Sequence, residues 1–216
     1  MDLDLSPEHL LSAYASGVFP MADDENVVRW FAPDPRAVIE LDGFNVSRSL
    51  RAVIRRGVFE MAVNRAFEEV IAACADRPGG TWISAEVQDA YIRLHRLGFA
   101  HSVEAWREGK LAGGLYGVAI GAAFFGESMF HRVTDASKVA LVALVGRLRD
   151  RGFNLLDIQF ITDHLRRFGA VEIPRSDYLR RLRCAVQLPC TFDDRIGPTA
   201  ISAQPDISVQ PDDEQA

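Results

Sequence analysis

Residues 113–138, GGLYGVAIGAAFFGESMFHRVTDASK, constrain the fold more than any other part of the chain. The first half sets two short apolar runs, 115–120 and 122–125, on either side of Gly121. Two strands joined at that glycine fit the pattern, because a residue without Cβ takes turn or bulge conformations at no steric cost. The second half interrupts the apolar run with Gly126, Glu127 and Ser128 before Met129 and Phe130 resume it. A carboxylate between two aromatic-rich segments is costly to bury unless it is partnered. Glu127 therefore reads either as a solvated side chain on a surface loop or as a partnered, functional one. Asp135 or Ser137 can cap the helix expected over about 138–151.

With 216 residues, 48% of them hydrophobic, the chain can build one large domain or two small lobes around a real core. No run of about 18 apolar residues suggests a membrane span. The opening MDLDLSPEHL lacks the basic and apolar regions of a signal peptide. Cys74, Cys184 and Cys190 are few and scattered, so reduced thiols in a cytoplasmic protein are expected, not a disulfide framework or a zinc site. A net charge of −6 argues at first against nucleic acid, but its distribution changes that. Residues 193–216 hold six acidic side chains against Arg195 alone, a net of −5 that leaves −1 for the rest. That proline-containing tail is expected to be disordered. Arginines remain available for local basic patches elsewhere.

Taken in order, Ser6 and Pro7 open a helix that Gly17 closes. An extended segment 18–21, an acidic turn 23–25, a strand over 27–31, a rigid turn at Pro33-Asp34-Pro35 and a strand over 38–41 follow. Residues 47–57, SRSLRAVIRRG, put Arg48, Arg51, Arg55 and Arg56 along one side of a helix and Leu50, Val53 and Ile54 on the other. That stripe is a solvated face or a phosphate-contacting surface, since arginine pairs bidentately with phosphate. A strand over 59–63 and a helix over 65–74 come next. A helix over 86–97 capped by Ser84 and a hairpin of strands 102–106 and 111–117 lead into the central stretch.

After that stretch, residues 153–160, FNLLDIQF, form an apolar strand carrying Asp157 and Gln159 two apart. Alternation puts both on one face of the sheet. Polar groups in such a strand need partners, so this pair is either a structural anchor or a site of chemistry. A short helix over 162–168, an extended segment 171–174 and a last helix over 176–183 complete the pattern.

Eight stretches in order then carry a resemblance: LSPEHLLSAYASGVFPM, WFAPDPRAVI, VSRSLR, TWIS, AYIRLHRLGFAHSVEAWR, GGLYGVAIGAAFFGESMF, ASKVAL and LLDIQFITDHLRRFGAVEIPRSDYL. Together, over about residues 5–182, they resemble the leucyl/phenylalanyl-tRNA–protein transferase family. The resemblance implies a mixed α/β fold: a small, trimmed N-terminal lobe over 1–62, a catalytic lobe like the acetyltransferases called GNAT over 63–192, and the acidic tail. It implies transfer of Leu or Phe, with Met left open, from aminoacyl-tRNA to proteins beginning with Arg or Lys, which marks them for N-end-rule degradation. The partners are then Leu-tRNA, Phe-tRNA and those acceptor proteins, with no membrane, no cofactor and no metal, and with the chain acting as a monomer.

Carried over by motif, the catalytic residues are Asp157, Gln159 and Glu127. Leu115, Phe124, Met129, Leu141 and Leu144 line the pocket for the transferred side chain. Trp82, with Tyr91 nearby and Met21 in place of the tryptophan many members carry, holds the 3′-adenosine of the tRNA. Arg48, Arg51, Arg55 and Arg56 face the acceptor stem. On that reading Asp157 helps deprotonate the incoming amine, Gln159 orients it, and Glu127 supplies charge near the acceptor's first side chain. An aminoacyl ester is already activated, so no Ser-His-Asp set is needed. A coenzyme-A-dependent N-acetyltransferase and a non-catalytic RNA-binding module are the competing readings. The first wants a glycine in the turn HRVTDASK, which has none; the second leaves the Asp157–Gln159 pair unexplained.

Overall fold

The structure, a computed structural model, describes residues 4–193 apart from Asp24 and Asn26. The tail from residue 194 onward lies outside the described residues. Sixteen elements are formed among those described. Helix α1 (Pro7–Ala15) begins as its sequence dictates, with Ser6 Oγ accepting from the His9 amide and Pro7 in the first turn. Strands β1 (Phe19–Ala22) and β2 (Val28–Phe31) make a separate two-stranded antiparallel sheet. Then come β3 (Arg36–Ile39), α2 (Arg48–Arg55), β4 (Glu60–Val63), α3 (Phe67–Ala75) and α4 (Ala85–Arg96). The second half runs β5 (Ala100–Arg107), β6 (Lys110–Ile120), β7 (Ala123–His131), α5 (Ala136–Asp150), β8 (Leu155–Gln159), α6 (Asp163–Arg166), β9 (Ala170–Ile173) and α7 (Arg175–Ala185).

Seven strands form one mixed sheet in the order β4-β5-β6-β7-β8-β3-β9. Neighbours are antiparallel except β7 and β8, which α5 joins by a crossover and which run parallel. One face is covered by α1, α3, α4 and α7, through Leu10, Tyr14, Ile71, Tyr91, Leu94, Tyr178 and Leu182. The other is covered by α2 and α5, through Leu50, Leu141, Leu144 and Leu148. The mixed α/β class expected from the sequence is thus observed.

Three features take a form that the pattern along the chain does not show. The division at residue 62 does not separate two sheets: β3 pairs with β8 and β9, and β4 with β5, so both belong to the large sheet. Among the described strands, β1 and β2 alone lie outside that sheet. Gly126-Glu127-Ser128 is no loop, because β7 runs through it. Asp135 occupies the N-cap position of α5 with φ 69° but makes no capping bond; its carboxylate takes Lys138 Nζ at 2.7 Å instead.

The β6–β7 hairpin turns at Gly121 as its sequence suggests. Gly121 has φ 54°, and a Cβ there would lie 2.6 Å from the carbonyl oxygens of Ala185 and Val186. Only glycine lets α7 end against this turn.

Candidate active site

A β-bulge creates the site. Gly117 on β6 pairs with Gly126, but Tyr116 pairs with Ser128, so Glu127 is the extra residue of β7. A bulge of this kind re-aims one side chain and flips the alternation beyond it. Met129 consequently pairs with Leu115 in the core beneath α5, while Phe125, before the bulge, belongs to the opposite core. Gly117 makes the bulge possible, because a Cβ there would collide with the Phe125 carbonyl and the Phe124 ring.

The parallel ladder between β7 and β8 ends at Phe125↔Asp157, while β7 continues to His131 and β8 to Gln159. Glu127 and Gln159 meet just past the last rung, with Gln159 Nε2 donating to Glu127 Oε1 at 3.3 Å. Tyr14 Oη of α1 donates to the same oxygen at 2.7 Å, and Tyr91 Oη of α4 to Oε2 at 3.3 Å. The two tyrosine hydroxyls also touch each other, and since each carries one proton, the tyrosines can donate in only two of these three contacts at once. The Tyr116 hydroxyl is buried without a hydrogen-bond partner among the described residues.

Glu127 as a residue keeps some solvent exposure, yet its carboxylate is enclosed. Burial pushes its pKa from 4.5 up to about 8. Hydrogen bonds from Tyr14 and Tyr91 and the Arg36 charge pull the other way, while repulsion from Asp157 adds to the rise. Burial, with Glu127 close by, also holds the Tyr14 and Tyr91 hydroxyls well above their ordinary values, so both are donors at neutral pH.

Asp157 sits differently. It is fully buried, and all four lone-pair positions of its carboxylate are taken. Oδ1 accepts from Arg36 Nε at 2.9 Å and from the Gln159 amide at 2.9 Å. Oδ2 accepts from Arg36 Nη2 at 2.7 Å and from Tyr178 Oη at 2.6 Å. The expectation that Asp157 strips the proton from an incoming amine is therefore corrected, since no position is left to receive it. Gln159 closes β8 with φ 57°, and its side-chain nitrogen serves Glu127 while its side-chain oxygen accepts from no group among the described residues.

Of the other expected site residues, Leu115, Phe124, Leu141 and Leu144 are buried in one cluster with half-buried Met129 against it. That cluster lies on the α5 side of the sheet, directly behind the bulge. Met21 and Trp82 both border the opposite cluster, and the Ala22 amide donates to the Trp82 carbonyl at 3.2 Å. Tyr91 does not belong with them: a ring with 0% exposure offers no face to a base, and its hydroxyl serves Glu127. Arg48, Arg51, Arg55 and Arg56 are exposed on α2, and no carboxylate pairs with them among the described residues. Arg51 and Arg55 border a groove of about 480 Å³ against α5, which Arg149 also lines. The sequence reading missed Arg36, Tyr14 and Tyr178. An arginine opening an apolar strand straight after Asp34-Pro35 was the available hint for the first.

Two family models match the chain: "Leucyl/phenylalanyl-tRNA protein transferase" over residues 38–183 and the N-terminal domain of that protein over 3–34. A Gloeobacter violaceus leucyl/phenylalanyl-tRNA–protein transferase is 57% identical over 193 residues, covering 89% of this chain and all of that one. The Rubrobacter xylanophilus protein of the same name is 57% identical over 189 residues, covering 87% and 98%. Among solved structures, a ribosomal-protein-alanine N-acetyltransferase from Brucella melitensis is similar at a TM-score of 0.36 and 14% identity, over 70% of this chain and 99% of that one. The family models and the two relatives define an aminoacyltransferase. Within that class, the chain belongs to the leucyl/phenylalanyl-tRNA–protein transferase family.

Proposed function

We propose that this chain, acting as a monomer, moves Leu or Phe from aminoacyl-tRNA to the α-amino group of proteins whose first residue is Arg or Lys. The observation that carries the reading is Glu127, raised on a bulge beside Gln159 where β7 and β8 part. A guanidinium or ammonium group brought against Glu127 lowers its pKa and draws out the anion that binds it. Gln159 Oε1 accepts an N–H of the neighbouring α-amine and holds its lone pair toward the ester carbonyl. The C–N bond then forms as the ester C–O bond breaks; the amine gives up a proton and the departing ribose oxygen takes one. A free α-amine has a pKa of about 8, so about a tenth is already neutral at pH 7 and positioning does most of the work.

We assign the transferred side chain to the cluster of Leu115, Phe124, Met129, Leu141 and Leu144 behind the bulge, and Trp82 and Met21 to the adenosine side. Met129 is half-buried and the other four are packed closed, so that entry of the side chain requires them to part. Enlarging Leu141 to phenylalanine shrinks that cluster. The expected result is a fall in Phe transfer about tenfold greater than the fall in Leu transfer, within the 1–3 kcal/mol that apolar pockets discriminate. Equal losses in a poorly folded variant would return these residues to the core alone.

Arg48, Arg51, Arg55 and Arg56 suit the acceptor stem because no carboxylate among the described residues pairs with them. Reversing Arg51 and Arg55 to glutamate weakens Leu-tRNA binding and lowers the log–log salt slope by about 2, at about 0.9 per duplex phosphate contact. Fluorescence binding at several salt concentrations reads this, and an unchanged slope removes α2 from the tRNA surface.

The competing acetyltransferase reading meets Asp135, which puts a carboxylate at the start of α5 where a pyrophosphate would need to sit. Incubation of labelled Leu-tRNA, or of acetyl-CoA, with peptides starting Arg, Lys, Asp or Glu decides the matter. Leucylation of the Arg and Lys peptides supports the proposal; acetylation, or leucylation of the acidic ones, overturns it.

A further inference from the structure

Arg36 is 1% exposed and touches four other parts of the fold at once. It stands on β3, and its Nη1 donates to the Gly17 carbonyl at the end of α1 at 3.1 Å. Its guanidinium carbon lies 4.6 Å from the centres of both the Phe19 ring of β1 and the Tyr178 ring of α7. The remaining nitrogens grip Asp157 on β8 in a two-pronged pair, at 2.9 and 2.7 Å. Burying such a pair costs desolvation that apolar packing would avoid, so stability alone gives a weak reason for it. Its geometry points elsewhere. Asp157 Oδ1 also accepts the Gln159 amide, and Gln159 holds φ 57°, a left-handed conformation uncommon for a side chain with Cβ.

We propose that Arg36 is a positioning residue, which fixes the Asp157 carboxylate and through it the left-handed backbone of Gln159, so that the Gln159 amide stands beside Glu127. The inference rests on the transfer reaction proposed above. Arg36 reaches the reacting amine through two intermediaries and never touches it. Because it also holds Gly17 and Phe19, it ties the β1–β2 hairpin to the strand that carries Gln159. Tyr178 is its auxiliary, donating to Asp157 Oδ2 at 2.6 Å and stacking on the guanidinium. Lysine cannot replace Arg36, since an ammonium provides a point charge without the planar fork.

The test compares wild type, Arg36→Lys and Tyr178→Phe in transfer of Phe to an Arg-starting peptide, with thermal unfolding measured alongside. Wild-type transfer is read first, and its absence counts against the proposed function, not against this inference. For Arg36→Lys the expected result is a kcat lowered about 30- to 100-fold with acceptor KM within about twofold, as misplacement by about 1 Å commonly produces. Tyr178→Phe lowers kcat by about three- to tenfold in the same pattern, and it decides the matter should Arg36→Lys fail to fold. A kcat within twofold of wild type in a folded variant overturns the proposal and leaves Arg36 a packing residue. A loss carried wholly by acceptor KM overturns it too, since positioning acts on the bound complex.

Discussion

Asp157→Asn is expected to cost about 3–5 kcal/mol of stability, because it strands the buried Arg36 charge without its counter-ion. Transfer at saturating substrates is expected to fall about 100-fold, through loss of the geometry at Gln159. The decisive variant is the double one. Asp157→Asn with Arg36→Met removes both charges and fills most of the guanidinium's volume, so stability should return close to wild type. Transfer should not return, because without the guanidinium nothing orients the amide oxygen left at position 157 toward the Gln159 amide. Thermal unfolding and single-turnover kinetics on the two variants separate the effects. Unchanged stability in Asp157→Asn would mean the pair is already broken in solution. Transfer restored to within a few-fold in the double variant would make the whole cluster structural.

Local chemistry was enough to find many elements. Ser6, Pro7 and Gly17 delimit α1, and Ser84, whose hydroxyl accepts from the Val87 amide at 3.3 Å, starts α4. Gly121 turns the central hairpin. What failed were properties of two strands at once. The Gly126-Glu127-Ser128 interruption looks like a loop along the chain; it becomes a bulge only against Tyr116 and Gly117 on the partner strand. The place of β3 in the large sheet is hidden likewise, since its ladder partner β8 lies over a hundred residues away in sequence. Of the two candidate caps of α5, Asp135 takes the N-cap position, but its carboxylate pairs with Lys138 and makes no capping bond.

The site was legible in its acidic and amide members and hidden in its supports. Asp157 and Gln159 stand out because alternation in an apolar strand exposes them to inspection. Tyr14 and Arg36 do not, because their partners Glu127 and Asp157 lie 113 and 121 residues away. The consequence was a misplaced role. An aspartate seen alone reads as a base, and one with four donors around it does not.

Glu127→Gln should change the pH dependence of transfer more visibly than any other substitution. In the free enzyme Glu127 titrates at about 8, close to the α-amine of the acceptor. Capture of a cationic first residue needs Glu127 ionised, and attack needs the amine neutral. Below pH 7 the logarithm of kcat/KM for an Arg-starting peptide should therefore rise with a slope of about 2 per pH unit. In Glu127→Gln the slope should be about 1, with acceptor KM raised and kcat less affected. A peptide whose first side chain is uncharged should give a slope of about 1 with either enzyme. Stability supplies an independent check with its own sign. The folded-state pKa lies above the ordinary 4.5, so the folded protein binds the extra proton. That contribution is complete below pH 4.5 and is lost as pH rises to about 8, so wild type should weaken over this window relative to Glu127→Gln. The two proteins should unfold at similar temperatures near pH 5, and the variant should be the more stable at pH 8.5. A slope of 1 in both enzymes with the Arg peptide would show that capture does not depend on the Glu127 charge.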